Sequence, residues 1–339
     1  MPAISPRKLV EAVLSAIEES GFSAILLSPI GEHPRKVSLS FPSGEAVDMW
    51  VYVWTLTHGG RPTLPDEYRI QMTTVDSPLP LNPRGPTILI GYEPNLHLFA
   101  GFDVDRHHTF AAGSPSVQID IRVVREALQR GLVFDRKSNK EIAVGIRPDQ
   151  LVSYALNARV FHRLGRDAPT FDLMCRASGL QSIPDAELSE LSEPRMRIVK
   201  QVSRLSRDAN FRQQVLVAYD HRCAVTRAQL RLVEAAHILP VGAPNSNDLI
   251  TNGLALSPTY HRAFDNGLIY LTESYEMVVN PAKEAELRAL SRAAGIDGFK
   301  ATLGRIFLPP DPQQRPRVDL IRKANQFRLI PPVKPGGLR

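Results

Sequence analysis

Two stretches in the C-terminal half decide the fold. Residues 222–240 read RCAVTRAQLRLVEAAHILP, and residues 252–267 read NGLALSPTYHRAFDNG. Residues 230–236 are mostly apolar, and residues 254–256 form a second short apolar run. The intervening segment is rich in Pro, Gly, Asn and Asp, which favours a loop. These patterns predict two strands joined by a long loop, with a helix after the second strand.

The predicted helix has recognisable ends and one polar face. Ser257 suits its N-cap, Pro258 its first turn and Gly267 its end. His261 and Asp265 are four residues apart, so they lie on one face with Cβ atoms about 5–6 Å apart. An imidazole and a carboxylate with few other protein ligands leave positions open for water and phosphate on a divalent cation. Asp265 is equally suited to a turn at the helix end.

His237 ends the first predicted strand just before Pro240. A histidine held rigidly there suits a general base that removes a proton from water. Taken alone, such a histidine is more often a core or surface residue, and Asn252 before Gly253 is an ordinary turn former. Their spacing to the His261 helix favours a catalytic role for His237 and a supporting role for Asn252.

The motifs together resemble the HNH endonucleases, which carry a ββα-metal finger. The similarity covers about 50 residues and rests on Cys-x-x-Thr (223–226), Ala-Ala-His-Ile-x-Pro (235–240), Asn-Gly-Leu-x-Leu (252–256) and His-x-x-Phe-Asp (261–265). The resemblance implies that His237 is the general base and that Asn252 orients it or braces the loop. It also implies that His261 binds one catalytic Mg²⁺ or Mn²⁺, with Asp265 as a second ligand.

Two positions depart from the wider family pattern. Many members carry a metal-binding Asp or His directly before the base, where this chain has Ala236. Many also hold structural zinc on Cys-x-x-Cys pairs, whereas here only Cys223 remains, with Thr226 in the partner position. Water or substrate oxygens are expected to complete the metal shell, and no structural zinc is expected.

The charge of the chain favours a polyanionic partner. Its 339 residues carry a formal net charge of +6 with a pI near 9.4, which suits double-stranded DNA. The basic side chains are concentrated ahead of the finger and beside His261, although a solvated helix face is the alternative. The expected phosphate contacts are Arg204, Arg207, Arg212, Arg222, Arg227 and Arg262.

Composition also limits the cellular context. Hydrophobic residues make up 43% of the chain and charged residues 22%, and no apolar run is long enough to span a bilayer. The N-terminal residues lack the pattern of a secretory signal. The two cysteines, Cys175 and Cys223, cannot form a disulfide framework. A cytoplasmic protein is expected.

The predicted fold class is α+β. Residues 1–165 form a sheet-rich domain, with helices predicted over 6–19, 122–130 and 148–164 and strands over 47–57, 68–74, 87–92, 96–104 and 117–121. Residues 166–194 are predicted to be a linker with short ordered pieces, 195–330 the nuclease domain and 331–339 a flexible tail.

The predicted function is a metal-dependent DNA endonuclease, of restriction type because the N-terminal domain is much larger than a nuclease finger needs. That domain is expected to recognise a DNA sequence or base modification. One finger supplies one active site, so double-strand cleavage is expected to require a homodimer. The alternatives are a DNA-binding protein with a degenerate finger, for which Ala236 is the best support, and a nicking or mobile-element nuclease.

Overall fold

The computed structural model describes residues 3–41, 44–111, 113, 115–230 and 232–330. Contacts between elements divide the chain into two compact units, Met1–Asn210 and Phe211–Arg339. The predicted tail, 331–339, lies outside the described residues. Among the helices of the described part, none has the length and apolar character needed to cross a membrane.

The N-terminal unit is built on a seven-stranded sheet. The strands of this unit are β1 (Ser23–Leu26), β2 (Arg35–Ser40), β3 (Ala46–Thr55), β4 (Thr57–His58), β5 (Glu67–Gln71), β6 (Thr87–Glu93), β7 (Leu98–Phe102), β8 (Ser116–Asp120), β9 (Leu132–Arg136) and β10 (Ile142–Ile146). The order in the large sheet is β1-β2-β3-β6-β7-β10-β9, and a smaller sheet has the order β4-β5-β8. Strands β3 and β6 pair in parallel, and the other neighbours are antiparallel.

Seven helices accompany these strands in the described part of the chain. They are α1 (Pro6–Glu19), α2 (Val104–His107), α3 (Ile121–Arg130), α4 (Leu151–Leu164), α5 (Ala168–Ser178), α6 (Asp185–Ser189) and α7 (Glu193–Ala218), with a 3₁₀ turn at Pro148–Gln150. The Ser5 side chain caps α1 by accepting from the Lys8 amide. Leu9, Val13 and Ile17 lie on the buried face of α1, as the three- and four-residue spacing predicts.

The segment predicted as a linker, 166–194, contains α5 and α6. Leu173, Met174 and Ala177 of α5 pack in the core of the N-terminal unit. Their spacing gives this short helix an apolar face, which a connector does not require. The division between units lies at Asn210 and Phe211, within α7 and later than the predicted start of the nuclease domain at residue 195.

The C-terminal unit contains a two-stranded hairpin and a three-stranded sheet. Its core includes Phe211, Val215, Ile238, Leu254 and Phe264. The elements after α7 are β11 (Glu234–His237), β12 (Gly253–Leu256), α8 (Pro258–Asp265), β13 (Ile269–Leu271), β14 (Glu276–Val279), α9 (Pro281–Ala289), α10 (Ile296–Lys300), β15 (Gly304–Arg305) and α11 (Val318–Phe327). The α+β prediction is confirmed, with a sheet-rich N-terminal part and a ββα finger.

Candidate active site

The finger consists of β11, β12 and α8. The two strands pair antiparallel, with Glu234 opposite Leu256 and His237 opposite Gly253. The first strand begins at Glu234, later than the predicted residue 230. Leu230 has φ of +43°, which is incompatible with an extended strand. The predicted order of strand, loop, strand and helix is nevertheless observed.

Helix α8 ends in a Schellman motif. The Gly267 amide donates to the Phe264 carbonyl at 3.1 Å, and the Leu268 amide donates to the Ala263 carbonyl at 2.9 Å. Gly267 has φ of +68°, so its position at the helix end follows from the left-handed backbone. Ser257 occupies the N-cap position but makes no side-chain capping bond. The glycine therefore fixes where the helix ends, whereas the serine does not cap its start through its hydroxyl.

Gly253 is required by close packing. Its φ of −118° is extended, so the Asn252-Gly253 pair is not a turn of the hairpin type. A Cβ placed on Gly253 would lie 2.2 Å from Val215 Cγ2 of α7, far inside van der Waals contact. The glycine lets α7 approach the hairpin directly at the position paired with His237.

Asn252 is completely buried and braces the loop between β11 and β12. Its Oδ1 accepts from the Leu239 amide at 2.9 Å. Its Nδ2 donates to the Leu239 carbonyl at 3.2 Å and to the Asn247 carbonyl at 2.8 Å. The two ends of the loop are thus held together through one side chain. Of the two roles implied by the family resemblance, these contacts support bracing.

His237 contacts a carboxylate and an aromatic ring. Its Nε2 lies 3.0 Å from Asp248 Oδ1, and its ring stacks on Phe211 with centroids 3.8 Å apart and planes at 13°. The side chain of His237 is 17% exposed, so it is held in place while remaining open to solvent. This arrangement suits a fixed base that exchanges a proton with water.

His261 lies between two carboxylates. Its Nδ1 is 2.6 Å from Glu234 Oε2, and its Nε2 is 3.3 Å from Asp265 Oδ2. Burial lowers the pKa of His261, but the hydrogen bond with Glu234 and the charges of Asp265 and Glu234 outweigh burial, so the pKa is raised overall. The structure therefore brings together the two predicted metal ligands and adds a carboxylate on the other ring nitrogen.

Glu234 is a residue of the site that no sequence motif identifies. A metal-binding histidine commonly uses its second ring nitrogen to bond a carboxylate, which fixes the ring and its tautomer. Glu234 lies three residues before His237 in the sequence, but this spacing does not indicate that its carboxylate contacts His261 on α8. Ala236, the departure from the family pattern, is fully buried in the core of the finger. Among the described residues, no hydrogen bond or ring contact joins His237 to His261.

The predicted phosphate contacts fall into separate environments. The pKa of Glu234 is lowered first by its hydrogen bond with His261, and the charges of Arg212 and Arg262 lower it further. These two arginines therefore lie close to the candidate site. Arg222 pairs with Asp220, and Arg227 lies over the ring of Phe307. Arg204 and Arg207, which precede the division at residue 210, are exposed.

The metal ligands available from the protein are few. Across the described ranges, no group of three or more His, Cys, Asp and Glu side chains is arranged to hold a metal ion. His261 Nε2 and Asp265 supply one nitrogen and one carboxylate donor, a set that fits a divalent cation whose remaining ligands are water and phosphate oxygens.

Comparison with known proteins assigns the two parts of the chain separately. Residues 223–272 match a family model described as HNH endonuclease, which confirms the resemblance and the endonuclease predicted from this stretch. Residues 47–155 match a model described as Methylase-associated X1. No curated protein matches the sequence. A solved structure, "Modification dependent TagI restriction endonuclease", is 15% identical with a TM-score of 0.31, covering 86% of this chain and 84% of that chain.

Proposed function

We propose that this chain, whose residues 223–272 form an HNH endonuclease domain, is a divalent-metal-dependent DNA endonuclease of the restriction type. The observation that carries the proposal is a ββα finger that holds two histidines with different contacts. His237 is stacked and hydrogen bonded beside solvent, and His261 is held between Glu234 and Asp265. One histidine suits proton transfer and the other suits metal binding.

The catalytic cation would be held by His261 Nε2 and Asp265. When bound, Mg²⁺ or Mn²⁺ supplies positive charge that stabilises the phosphorane and the leaving oxygen. Glu234 bonds Nδ1 of His261, so that nitrogen is unavailable to the metal and the ring turns Nε2 toward Asp265. Arg212 and Arg262, whose charges act on Glu234, are expected to hold phosphate oxygens beside the finger.

His237 performs the proton transfer in the proposed reaction. It accepts a proton from a water molecule, and the water oxygen forms a bond to phosphorus. The bond from phosphorus to the 3′ oxygen breaks, and the leaving oxygen takes a proton from solvent. His237 then returns its proton to solvent, so the net reaction is hydrolysis of one phosphodiester. General base catalysis of this kind contributes about 10²- to 10⁴-fold.

The N-terminal unit is proposed to recognise the DNA. Its match at residues 47–155 is described as methylase-associated, which supports a role beside DNA modification and hence recognition of a sequence or a modified base. The strongly basic pI of the chain supports a polyanionic substrate. The part of the chain that the structure describes contains one finger, which supports a homodimer for double-strand cleavage. The two cysteines fit a reducing cytoplasm.

Cleavage of supercoiled plasmids tests the proposal. Methylated and unmethylated plasmids are incubated with the full chain and Mg²⁺ or Mn²⁺, and nicked and linear products are quantified. His237→Asn is expected to slow cleavage at least 100-fold while DNA affinity stays within two-fold. The matched control is His221→Asn, because His221 is exposed with φ of +52°, which asparagine tolerates.

Each alternative has its own result. DNA binding without cleavage in either metal would support the alternative of a degenerate finger. Ala236 motivates this alternative because many family members have a metal ligand at that position. Nicking of one strand without linear product, by a chain that stays monomeric on DNA, would support a nicking nuclease. Equal cleavage of all plasmids, whatever their methylation, would contradict modification dependence but leave the endonuclease proposal intact.

A further inference from the structure

Asp248 contacts the proposed base directly, although no motif identifies it. It lies in the loop between β11 and β12, eleven residues after His237. Its Oδ1 is 3.0 Å from His237 Nε2, and its side chain is 25% exposed. The contact is therefore shielded from much of the solvent, which strengthens a hydrogen bond to a carboxylate.

This contact determines the tautomer of His237. A carboxylate can only accept a hydrogen bond, so the proton must be on Nε2 of the ring. The lone pair of a neutral His237 is then on Nδ1. Stacking on Phe211 prevents the ring from tilting, so the direction of that lone pair is also restricted.

The backbone on both sides of Asp248 is anchored. On one side, the Asn247 carbonyl accepts from Asn252 Nδ2 at 2.8 Å. On the other side, the Leu249 amide donates to Asn247 Oδ1 at 3.1 Å. Since Asn252 is completely buried, this anchoring connects Asp248 to the interior of the finger and gives its carboxylate a defined position.

We propose that Asp248 is the positioning residue of the general base, and that the side chain of Asn252 acts on His237 indirectly, by bracing the loop that carries Asp248. This inference rests on the proposed function. Asp248 fixes the proton on Nε2 so that Nδ1 accepts the proton of the attacking water. When Nδ1 is protonated, the carboxylate stabilises the imidazolium, and Asp248 itself neither gains nor loses a proton in the step.

The tautomer is tested without any cleavage. Ring ¹⁵N shifts of the full-length protein are recorded near neutral pH, and the signal of His237 among nine histidines is identified as the one lost in His237→Asn. The proposal expects the neutral ring to carry its proton on Nε2 in the unaltered chain. In Asp248→Asn the ring is expected to populate both tautomers. A proton on Nδ1 in the unaltered chain overturns the proposal.

The catalytic effect is tested by the steady-state rates of two variants. Asp248→Asn is expected to lower kcat about 10- to 1,000-fold, a part of what base catalysis supplies, with KM within two-fold. Asp248→Glu retains the carboxylate and is expected to recover at least ten-fold over Asp248→Asn. The control Asp319→Asn removes a carboxylate on α11 that pairs with Arg317 and is expected to leave kcat unchanged.

The two measurements distinguish the failure of this inference from failure of the proposed function. If Asp248→Asn folds as the unaltered chain does and cleaves at the same rate, Asp248 does not position the base. If both Asp248 variants lose cleavage activity equally and the ring signal of His237 is unchanged, the loss of activity comes from a disturbed loop conformation. The inference is also wrong in that case. If the unaltered chain never cleaves DNA, the proposed function fails, and the ring signal alone reports whether Asp248 controls the tautomer.

Discussion

Replacement of Asn252 tests whether this residue braces the finger. In Asn252→Ala, the Leu239 amide and the Asn247 carbonyl lose the partners found at 2.9 and 2.8 Å. The Leu239 carbonyl keeps a bond from the Ser246 hydroxyl at 2.9 Å. Two polar groups are therefore left without partners rather than three.

The expected loss of stability follows from the number of backbone groups left unpaired. An unpaired buried polar group costs about 1–3 kcal/mol, so the two groups together lower the free energy of unfolding of the C-terminal unit by about 2–6 kcal/mol. For a unit of this size, that corresponds to a melting temperature lower by about 7–22 °C. Asn252→Asp keeps the shape but turns an oxygen toward the carbonyls of Leu239 and Asn247, so it is expected to cost at least as much.

Calorimetry of the full chain measures the effect on the transition of the C-terminal unit, and hydrogen exchange of the Leu239 amide reports the local contact. Asn266→Ala is the matched control because Asn266 is exposed just after α8, and its melting temperature is expected to change by less than about 2 °C. If Asn252→Ala melts like the unaltered chain but does not cleave DNA, the bracing interpretation is refuted and Asn252 acts on the reaction directly.

Three further outcomes are expected. Glu234→Gln weakens Mn²⁺ binding at His261 about 10- to 100-fold by calorimetry with bound DNA; unchanged affinity contradicts its orienting role. The double variant Arg204→Gln/Arg207→Gln is expected to reduce the slope of the logarithm of the DNA-binding constant against the logarithm of salt concentration by about 0.9 per arginine. An unchanged slope would show that neither arginine contacts DNA phosphates. Burial lowers the pKa of His162 from 6.5 to about 4, so its contribution to stability is complete above pH 6.5 and is lost as the pH falls toward 4. His162→Gln is expected to flatten thermal stability across that window, and an equally steep decline would contradict the assignment.

Local patterns predicted the elements that depend on a few neighbouring residues. The helix at Pro6–Glu19 has the predicted bounds, because its apolar spacing and serine cap are both local. The end of α8 was predicted from Gly267, since a left-handed residue strongly favours glycine. The four-residue spacing of His261 and Asp265 predicted that they share one helix face, and their side chains are in contact in the structure.

Contacts between residues that are far apart in the sequence could not be predicted from local patterns. Glu234 reaches a histidine 27 positions away, and Asp248 reaches one eleven positions away. Each contact depends on how the hairpin pairs and how the loop folds back, which no local spacing determines. The packing of Met174 was missed for a similar reason, because prolines around 166–194 suggested a connector while the core contacts of α5 are long-range.

The geometry of β11 explains why the two histidines have separate carboxylate partners. Successive strand residues point to opposite faces, so Glu234 and His237, an odd number of positions apart, face opposite sides. His237 pairs with Gly253 on the side covered by Val215 and Phe211 of α7, while Glu234 reaches α8. Because β11 ends at His237, its ring lies at the end of that strand, beside the loop that carries Asp248. A substrate that must contact both histidines is therefore expected to cross the finger at this end, next to the loop that Asn252 braces.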